Sequence, residues 1–311
     1  MSETFKISSR MDRLLLEVLV TEPPEGTNVR AVLQISHGMS EHKERYQEFM
    51  EAMSEKGVAC IIHDHRGHGA SVGSEEDLGY MYGGGSRALV EDLHQITAYA
   101  KRRWPGLPFY LLGHSMGSSL LRQYIQMYGN GLSGAVLMGT VADHRKSELL
   151  FGKRLCRLMA AFRGWHYRSK LVDSLAIGSY NKKFKPAHTR ADWITSDREL
   201  LDTYVADPMC SFMFTVNAYY SMFTGMLRMQ RKEGVYMIPK GLPILFVSGA
   251  EDPVGNYGKG VRRIYEKYKA AGIHDISLRL YTGDRHEILN ETDRKEVYED
   301  LLQWFDEHCG K

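Results

Sequence analysis

The fold is decided by the stretch Leu111-Leu112-Gly113-His114-Ser115-Met116-Gly117, which joins a strand-like run to a helix-like run. The last five residues have the form G-x-S-x-G, in which a serine occupies a tight turn between a strand and a helix. Side chains at Gly113 and Gly117 would crowd the neighbouring backbone of such a turn. The pattern predicts that Ser115 is exposed at the end of a strand as a nucleophile, rather than being a turn residue or a helix cap.

An attacking serine also needs hydrogen-bond donors for the oxyanion that forms. One predicted donor is the backbone N–H of Met116, which opens the helix. The second is the N–H of Met39, in the loop His37-Gly38-Met39-Ser40-Glu41-His42 that follows the strand-like run 31–36. Gly38 would let this chain turn inward toward the nucleophile.

A serine hydroxyl is a weak nucleophile and needs a base, which in turn needs an acid to orient it. His286 and Asp252 each follow a later strand-like run, so the order along the chain is Ser, Asp, His. Glu251 and Asp284 are rival acids. We favour Asp252 because Pro253 fixes the turn behind it, and because Asp284 is close enough to His286 to be only a loop residue.

Strand-like and helix-like runs alternate along most of the chain, which predicts an α/β protein with a mostly parallel sheet and helices on both faces. The predicted strands are 14–20, 31–36, 58–63, 109–112, 135–138, 243–248 and 276–281. The predicted helices are 46–56, 86–104 with Ser86 as N-cap, 116–128, 259–271 and 294–308. Residues 141–240 break this alternation and are mostly helical. We therefore expect a core domain of residues 1–140 and 241–311 and a helical cap of residues 141–240.

Composition narrows the function. The 311 residues include 40 basic and 38 acidic ones, so the net charge of +2 predicts no nucleic-acid partner. No apolar run approaches the ~20 residues of a membrane helix, and the first residues do not resemble a secretory signal. Four scattered cysteines without a CxxC pair argue against a disulfide framework and a structural zinc site. These features predict a cytoplasmic protein.

Five motifs together resemble the monoacylglycerol lipase and bacterial lysophospholipase branch of the α/β-hydrolases, which is often labelled serine-aminopeptidase-like. They are His37 to His42, Asp64-His65-Arg66-Gly67-His68-Gly69-Ala70-Ser71, Gly113 to Gly117, Ser248-Gly249-Ala250-Glu251-Asp252-Pro253-Val254 and Arg285-His286-Glu287. The resemblance implies an α/β-hydrolase fold with a helical cap over Ser115, His286 as base and Asp252 as acid. It implies an acyl ester as substrate and no cofactor. Met39 is larger than the residue common at its position in animal monoacylglycerol lipases, so the substrate range is expected to differ.

The insertion contains many soft and aromatic side chains, most of which we expect to pack the core of a small cap. Some are predicted to line a pocket for an acyl chain, because each buried methylene contributes ~0.8 kcal/mol. The candidate substrate-binding residues are Phe212, Met213, Met222 and Phe223. A second amphipathic helix around residues 149–159 carries Lys153, Arg154 and Arg157, which form either a solvated face or a transient contact with a membrane surface.

The run His63-Asp64-His65-Arg66-Gly67-His68 has the composition of a metal site but not the spacing of one, so we expect no metal there. We expect Asp64 and Arg66 to form a hydrogen-bonded network that shapes the loop near the oxyanion hole.

Two other functions remain open. An aminopeptidase or amidase would use the same triad and an acidic cap residue such as Asp173, Asp192 or Asp202 to bind an amino terminus. A non-catalytic ligand-binding protein of the same fold is the less favoured alternative, because no triad residue is missing.

Overall fold

A computed structural model describes residues 1–309 and places one eight-stranded sheet at the centre of the molecule. The strands are β1 (Ser2–Ser8), β2 (Leu15–Thr21), β3 (Ala31–Ser36), β4 (Val58–His63), β5 (Phe109–His114), β6 (Gly134–Met138), β7 (Ile244–Gly249) and β8 (Ile276–Tyr281). Their order across the sheet is β1-β2-β4-β3-β5-β6-β7-β8. The first two strands pair antiparallel and the other six run parallel, which confirms the predicted mostly parallel sheet.

Helices cover both faces of this sheet, as predicted. They are α1 (Gln47–Glu55), α2 (Gly85–Arg103), α3 (Met116–Tyr128), α4 (Lys146–Arg163), α5 (Lys170–Ala176), α6 (Arg198–Ala206), α7 (Val216–Met229), α8 (Lys232–Met237), α9 (Lys259–Ala270) and α10 (Arg294–His308). α1 and α10 pack on one face, where Phe49 and Phe305 join the buried side chains of β3. α2, α3 and α9 pack on the other face together with α7. Strands β3, β4 and β5 are buried along their whole length, which explains their continuous apolar sequences.

The strand register brings the carboxyl ends of five parallel strands to one edge. Ser36 at the end of β3 pairs with Gly113 in β5, and His114 pairs with Met138 at the end of β6. Gly249 at the end of β7 pairs with Tyr281 at the end of β8. In an open parallel sheet, ligands bind at this edge. The loops that carry the predicted oxyanion, nucleophile, acid and base residues all begin here.

Residues 141–240, called the insertion below, lie between β6 and β7. Within them the structure forms the five helices α4 to α8 and no strand. α7 packs against α2 and α3 of the core, as well as against α4. The helical character expected from the interrupted alternation is present, while the proposed boundaries of core and cap remain a proposal. The last two residues of the proposed segment 241–311 lie outside the described residues.

Two details of the sequence-based prediction were wrong. β1 was not predicted, because it is an exposed edge strand whose only apolar residues are Phe5 and Ile7. Ser86 is not the N-cap of α2: the cap is Gly84, whose φ of 77° is in the left-handed region that favours glycine. The other predicted elements match the observed ones to within one or two residues.

None of the helices within residues 1–309 is both long enough and apolar enough to cross a membrane.

Candidate active site

Ser115 occupies a strained position between β5 and α3. Its φ of 53° and ψ of −116° lie in a region that residues with a side chain rarely adopt. Its N–H donates to the carbonyl of Met138 at 3.0 Å, which ties the turn to the end of the neighbouring strand. This backbone places the Ser115 side chain above the sheet edge, half-buried and at the start of a helix. Strain of this kind persists only where the surrounding structure enforces it.

The two glycines of the motif are required by close backbone contacts. A Cβ at Gly113 would lie 2.5 Å from the carbonyl oxygen of Gly117. A Cβ at Gly117 would overlap the carbonyl oxygen of Ser36 and lie 2.6 Å from that of His37. The sequence analysis attributed these glycines to crowding of the neighbouring backbone, and the structure gives the same reason.

Gly117→Ala should therefore destabilise the protein by about 3 kcal/mol or more, because backbone atoms of β3 and its loop cannot move aside cheaply. Gly241→Ala is the matched control, since a Cβ there would meet nothing within 4 Å. Urea unfolding of both variants measures the difference. Equal midpoints would show that the turn is looser than the contacts indicate.

His286 and Asp252 are brought together as predicted. Nδ1 of His286 lies 3.0 Å from Oδ2 of Asp252, and both side chains are almost completely buried. The carboxylate is held in place by the N–H of Val254 at 2.8 Å and the hydroxyl of Ser248 at 3.3 Å. The Asp252 carboxylate accepts the Nδ1–H proton of His286, so a neutral His286 carries its lone pair on Nε2. That is the tautomer a general base requires.

Nε2 of His286 is buried and has no hydrogen-bond partner in the described part of the chain. Ser115 therefore makes no hydrogen bond to this nitrogen. The two residues share a neighbour, because the ring of His114, which precedes Ser115, lies tilted against the His286 ring with centroids 4.7 Å apart. Catalytic hydrogen bonds are often long before substrate binds, so this geometry is compatible with a serine–histidine pair.

The rival acids do not contact His286. Glu251 is exposed, and its N–H donates to the carbonyl of Asp284 at 2.9 Å. Asp284 is buried, and its carboxylate forms no ion pair with His286 in the described residues. Burial, together with the carboxylates of Asp293 and Glu291, raises the pKa of Asp284 to about 7.

The predicted oxyanion donors lie on either side of Ser115. Met116 is the first residue of α3, so its N–H precedes the first hydrogen bond within the helix. The Met39 loop is close to the nucleophile, because a Cβ at Gly38 would lie 3.1 Å from the Cβ of Ser115. The Met39 N–H has no hydrogen-bond acceptor within residues 1–309. Both donors are therefore available to an oxyanion.

A buried ionic network that the sequence analysis did not predict supports this loop. Oε1 of Glu41 accepts hydrogen bonds from the N–H of Gly38 and from the hydroxyl of Tyr46, the latter at 3.0 Å. His114 Nδ1 lies 3.2 Å from the same oxygen. Arg45 joins Glu41 to Glu287 beside the base, with two hydrogen bonds of 2.7 Å to Glu287.

The charges of this network are fixed by mutual contact. Burial alone would lower the pKa of His114, but the hydrogen bond and charge of Glu41 outweigh it and raise that pKa above its usual value. The hydrogen bond and charge of His114 in turn outweigh burial and hold the pKa of Glu41 well below its usual range. Nε2 of His114 donates to the carbonyl of His286 at 3.3 Å. A charged His114 thus holds the backbone of His286. The position of His114 inside the G-x-S-x-G motif was the feature of the sequence that could have indicated this role.

The insertion also contacts the base. The ring of Trp193 lies 5.1 Å from that of His286, which also contacts the ring of His114. Nearby, the N–H of Glu287 donates to the carbonyl of Ile194 at 2.8 Å, and Thr195 donates to the carbonyl of Asn290 at 2.7 Å. The loop that carries His286 is therefore bound along its length to residues 192–196.

A second junction connects the insertion to the oxyanion loop through Ser40. Its carbonyl accepts hydrogen bonds from the N–H of Ser211 at 3.1 Å and from the hydroxyl of Tyr204 at 3.3 Å. Its hydroxyl donates to the carbonyl of Phe212 at 2.8 Å. Segment 204–212 of the insertion thus holds the loop that presents the Met39 N–H.

The predicted substrate-binding residues occupy different places. Met222 lines a cavity between α2, α3 and α7 that Met116 also lines. Phe212 belongs to the junction with the oxyanion loop and packs edge-on against His68. The carbonyl of Met213 instead accepts a hydrogen bond from Arg168 of the insertion at 3.2 Å. Phe223 stacks on Tyr219 and fills the space beside Gly152 of α4. The other residues lining the cavity are Met81, Ser86, Leu89, Ser119, Leu120, Gln123, Ser221, Gly225 and Met226.

The histidine-rich run after β4 packs beside the oxyanion loop. The ring of His65 lies 4.3 Å from that of His37 and 4.8 Å from that of His63. Its Nε2 lies 2.9 Å from the hydroxyl of Ser36. The N–H of His65 donates to Nε2 of His37 at 2.9 Å, so His37 must be protonated on Nδ1, which donates to the carbonyl of Gly38.

The expected network between Asp64 and Arg66 is divided between two regions. Asp64 accepts from the backbone and side chain of Lys43, next to the oxyanion loop, at 2.8 and 2.9 Å. Arg66 instead binds Asp92 of α2 and Asp12 near β2. Only Asp64 therefore shapes the loop near the oxyanion hole.

These histidines make stability depend on pH. Burial lowers the pKa of His37, His63 and His68 to about 3 and also lowers that of His65. The same groups titrate near ~6.5 in an unfolded chain. Below that pH the unfolded chain binds protons that the folded protein excludes, so the stabilisation is complete above ~6.5 and is lost as pH falls toward 3. Each histidine contributes roughly 1 kcal/mol per pH unit.

His63→Leu should reduce the slope of the free energy of unfolding against pH by the equivalent of about one bound proton. The reason is that both ring nitrogens of the buried His63 lack a partner in the described chain. Urea unfolding between pH 7 and 5 measures the slope, with the exposed His274→Leu as control. An unchanged slope in His63→Leu would contradict the assignment of a neutral buried imidazole.

The fold and this site define an α/β-hydrolase. The family model described as serine aminopeptidase, S33, matches residues 27–293. The chain belongs to this family of hydrolases.

Individual relatives are similar over most of their length. A monoacylglycerol lipase of Mycolicibacterium smegmatis is 26% identical over 285 residues, covering 91% of this chain and 90% of the relative. A monoglyceride lipase of Homo sapiens is 24% identical over 286 residues, covering 90% and 84%. Among solved structures, a thermostable carboxyl esterase from Bacillus coagulans in complex with glycerol superposes with a TM-score of 0.91 at 26% identity, covering 99% of each chain.

Proposed function

We propose that this protein is a serine carboxylic-ester hydrolase that cleaves monoacylglycerols or lysophospholipids. The observation that carries the proposal is the contact between His286 Nδ1 and Asp252 Oδ2 at 3.0 Å, with Nε2 left without a partner beside a strained Ser115. This arrangement supports a base that is oriented and has an available lone pair. The names of the curated relatives support the choice of ester.

In the proposed mechanism, Nε2 of His286 takes the Ser115 proton as the serine oxygen attacks the ester carbonyl. The N–H groups of Met39 and Met116 donate to the oxyanion. Asp252 stabilises the imidazolium without accepting its proton. His286 then protonates the leaving alcohol, and water hydrolyses the acyl-enzyme by the same route. No residue in this sequence of steps requires a cofactor.

We propose that the insertion is a cap that supplies the acyl site. The cavity between α2, α3 and α7 combines apolar side chains such as Met81, Leu120 and Met222 with Met116 next to the nucleophile. The cavity has a volume of about 20 Å³, so an acyl chain that extends from the ester carbonyl at Ser115 would have to widen it by moving the lining side chains. Each methylene transferred from water to this apolar surface contributes ~0.8 kcal/mol. The ligand would be a small-molecule acyl ester.

The cap also offers a surface for transient membrane contact. Phe151, Leu158 and Phe162 of α4 are 60%, 58% and 80% exposed. Arg154 and Arg157 are exposed on the same helix. Exposed apolar side chains beside cations suit a lipid interface, where such substrates reside. The free cysteines Cys60, Cys156, Cys210 and Cys309 support a reducing, cytoplasmic setting.

The aminopeptidase alternative is weakened by the contacts of the acidic residues it would use. Asp173 accepts a hydrogen bond from the hydroxyl of Tyr219 at 2.6 Å. Asp192 accepts from the N–H groups of His188 and Thr189, both at 2.8 Å. Asp202 is exposed on α6. None of these observations favours recognition of a free amine near Ser115.

Parallel assays on monoacylglycerols, lysophospholipids, p-nitrophenyl esters of increasing chain length and amino-acid anilides test the proposal. We expect ester hydrolysis to exceed anilide hydrolysis, with kcat/KM rising as the acyl chain lengthens until the cavity is filled. Met222→Ser should weaken that rise, whereas Phe223→Leu, which alters packing on α4, should preserve it. Faster turnover of anilides than of every ester would refute ester specificity.

A further inference from the structure

His42, Asp207 and Cys210 converge where the insertion meets the oxyanion loop. One potential ligand atom of each residue lies within 4.8 Å of the other two. Nε2 of His42 is 2.8 Å from Oδ2 of Asp207. His42 ends the oxyanion loop, while Asp207 and Cys210 follow α6 in the insertion. Residues separated by 165 positions in the chain therefore present an imidazole nitrogen and a carboxylate oxygen to each other, with a thiol beside them.

These three groups form a donor set suited to Zn²⁺ and Co²⁺. Zinc binds sulfur at ~2.3 Å and nitrogen or oxygen at ~2.0–2.2 Å in tetrahedral sites. Donors in such a site lie roughly 3–4 Å apart, which follows from those bond lengths. The present separations are close to that range, so small side-chain rotations would suffice. Cys210 and His42 are only 4% and 8% exposed, which protects the donors from competing water.

The surroundings orient the imidazole for metal binding. Nδ1 of His42 lies 2.6 Å from Oε2 of Glu44, whose other oxygen accepts from Lys43 at 2.6 Å. A histidine that donates Nδ1–H to a carboxylate coordinates zinc through Nε2 once the Nε2 proton has been released, as in carboxylate–histidine–zinc arrangements. Arg45 lies near Cys210, but its charge is balanced by Glu41 and Glu287. The carboxylates of Glu44 and Asp207 leave the pocket attractive to a cation.

We propose that His42, Asp207 and Cys210 bind one Zn²⁺-class cation that fastens the insertion to the oxyanion loop. Binding would release two protons, the Nε2 proton that His42 donates to Asp207 and the thiol proton of Cys210, so that nitrogen, carboxylate and thiolate all coordinate the ion. The fourth position would be open to water. The ion takes no part in ester cleavage. It replaces the hydrogen bond between His42 and Asp207 with three coordinate bonds. These bonds join the insertion to the oxyanion loop at the same junction as the contacts of Ser40.

Co²⁺ titration of the whole protein at pH 8 tests this site. We expect one Co²⁺ per chain, with the near-ultraviolet absorption of a thiolate–cobalt bond and the visible bands of a tetrahedral ion. Cys210→Ala should lose the thiolate absorption, and Asp207→Asn should bind at least about tenfold more weakly. The half-buried thiol of Cys309 provides the matched control, since Cys309→Ser should retain the full signal.

Glu44→Gln is a second, milder variant, because its side chain is 49% exposed and is not itself a ligand. It should weaken Co²⁺ binding about 10–100-fold while keeping the thiolate absorption. Zn²⁺ should raise the Tm of wild type but not of Cys210→Ala. A thiolate band that persists in Cys210→Ala, or wild-type protein that shows none at millimolar Co²⁺, would overturn the proposal whether or not esters are hydrolysed.

Discussion

Ser115→Ala should lower kcat/KM for p-nitrophenyl esters by about 10⁴-fold or more, because it removes the atom that becomes acylated. The backbone of the turn is held by the Met138 carbonyl and by the Gly117 contacts, none of which involve the hydroxyl. The variant should therefore fold normally and retain the oxyanion donors. Labelling by a fluorophosphonate should disappear together with turnover.

Ser118→Ala is the matched control for this experiment. Ser118 lies three residues after Ser115 on α3, is buried, and its hydroxyl has no hydrogen-bond partner in the described chain. Activity and labelling of this variant should remain near those of wild type. Enzymatic turnover that survives in Ser115→Ala would eliminate the proposed nucleophile, even if the fold is unchanged.

Asp252→Asn should reduce kcat by about 10⁴-fold, because an amide cannot enforce the required tautomer of His286. In wild type the carboxylate accepts from Nδ1 at 3.0 Å. An asparagine whose oxygen keeps the hydrogen bond from the N–H of Val254 would present its NH₂ group to the ring, in the position that Oδ2 occupies in wild type. His286 would then accept on Nδ1 and carry its proton on Nε2, where it cannot act as a base.

The rival carboxylate supplies the control for this substitution. Asp284→Asn replaces a buried acid two residues from the base that makes no contact with the imidazole ring. Its kcat should change little compared with that of Asp252→Asn. Loss of activity in Asp284→Asn with normal activity in Asp252→Asn would reassign the acid. Steady-state kinetics on one p-nitrophenyl ester is sufficient for both variants.

The parallel sheet, and the order along the chain of the loops that carry Ser115, Asp252 and His286, could be predicted from the sequence. Both depend on patterns within short stretches of the chain. Continuous apolar runs such as that of β4 identify strands buried on both faces. Once parallel strands are assigned, their carboxyl ends must share one edge, so Ser115, Asp252 and His286 were placed at the same edge without coordinates. The glycines flanking Ser115 were likewise explained by crowding within one turn.

The supporting contacts could not be predicted, because they join distant segments without a periodic signal. The pairing of Arg45 with Glu287 joins two core segments that are far apart in the chain, and the contact of Trp193 with His286 depends on how the insertion packs on the core. The distinction between Met222 at the cavity and Phe223 against α4 depends on the rotation of one helix. Similar side chains in the same sequence stretch therefore have different surroundings.

The bonding of residues 192–196 to the loop of His286 limits how this enzyme can be recombined with others. Arg285 donates to the carbonyl of Thr195 at 3.0 Å, and the N–H of Ser196 donates to Glu291 at 3.0 Å. A chimaera that exchanged all of residues 141–240 for another sequence would also remove the residues that hold the loop of His286, the proposed base. Transplants meant to change substrate preference should leave this short stretch with its original partner and exchange only the helices that flank it.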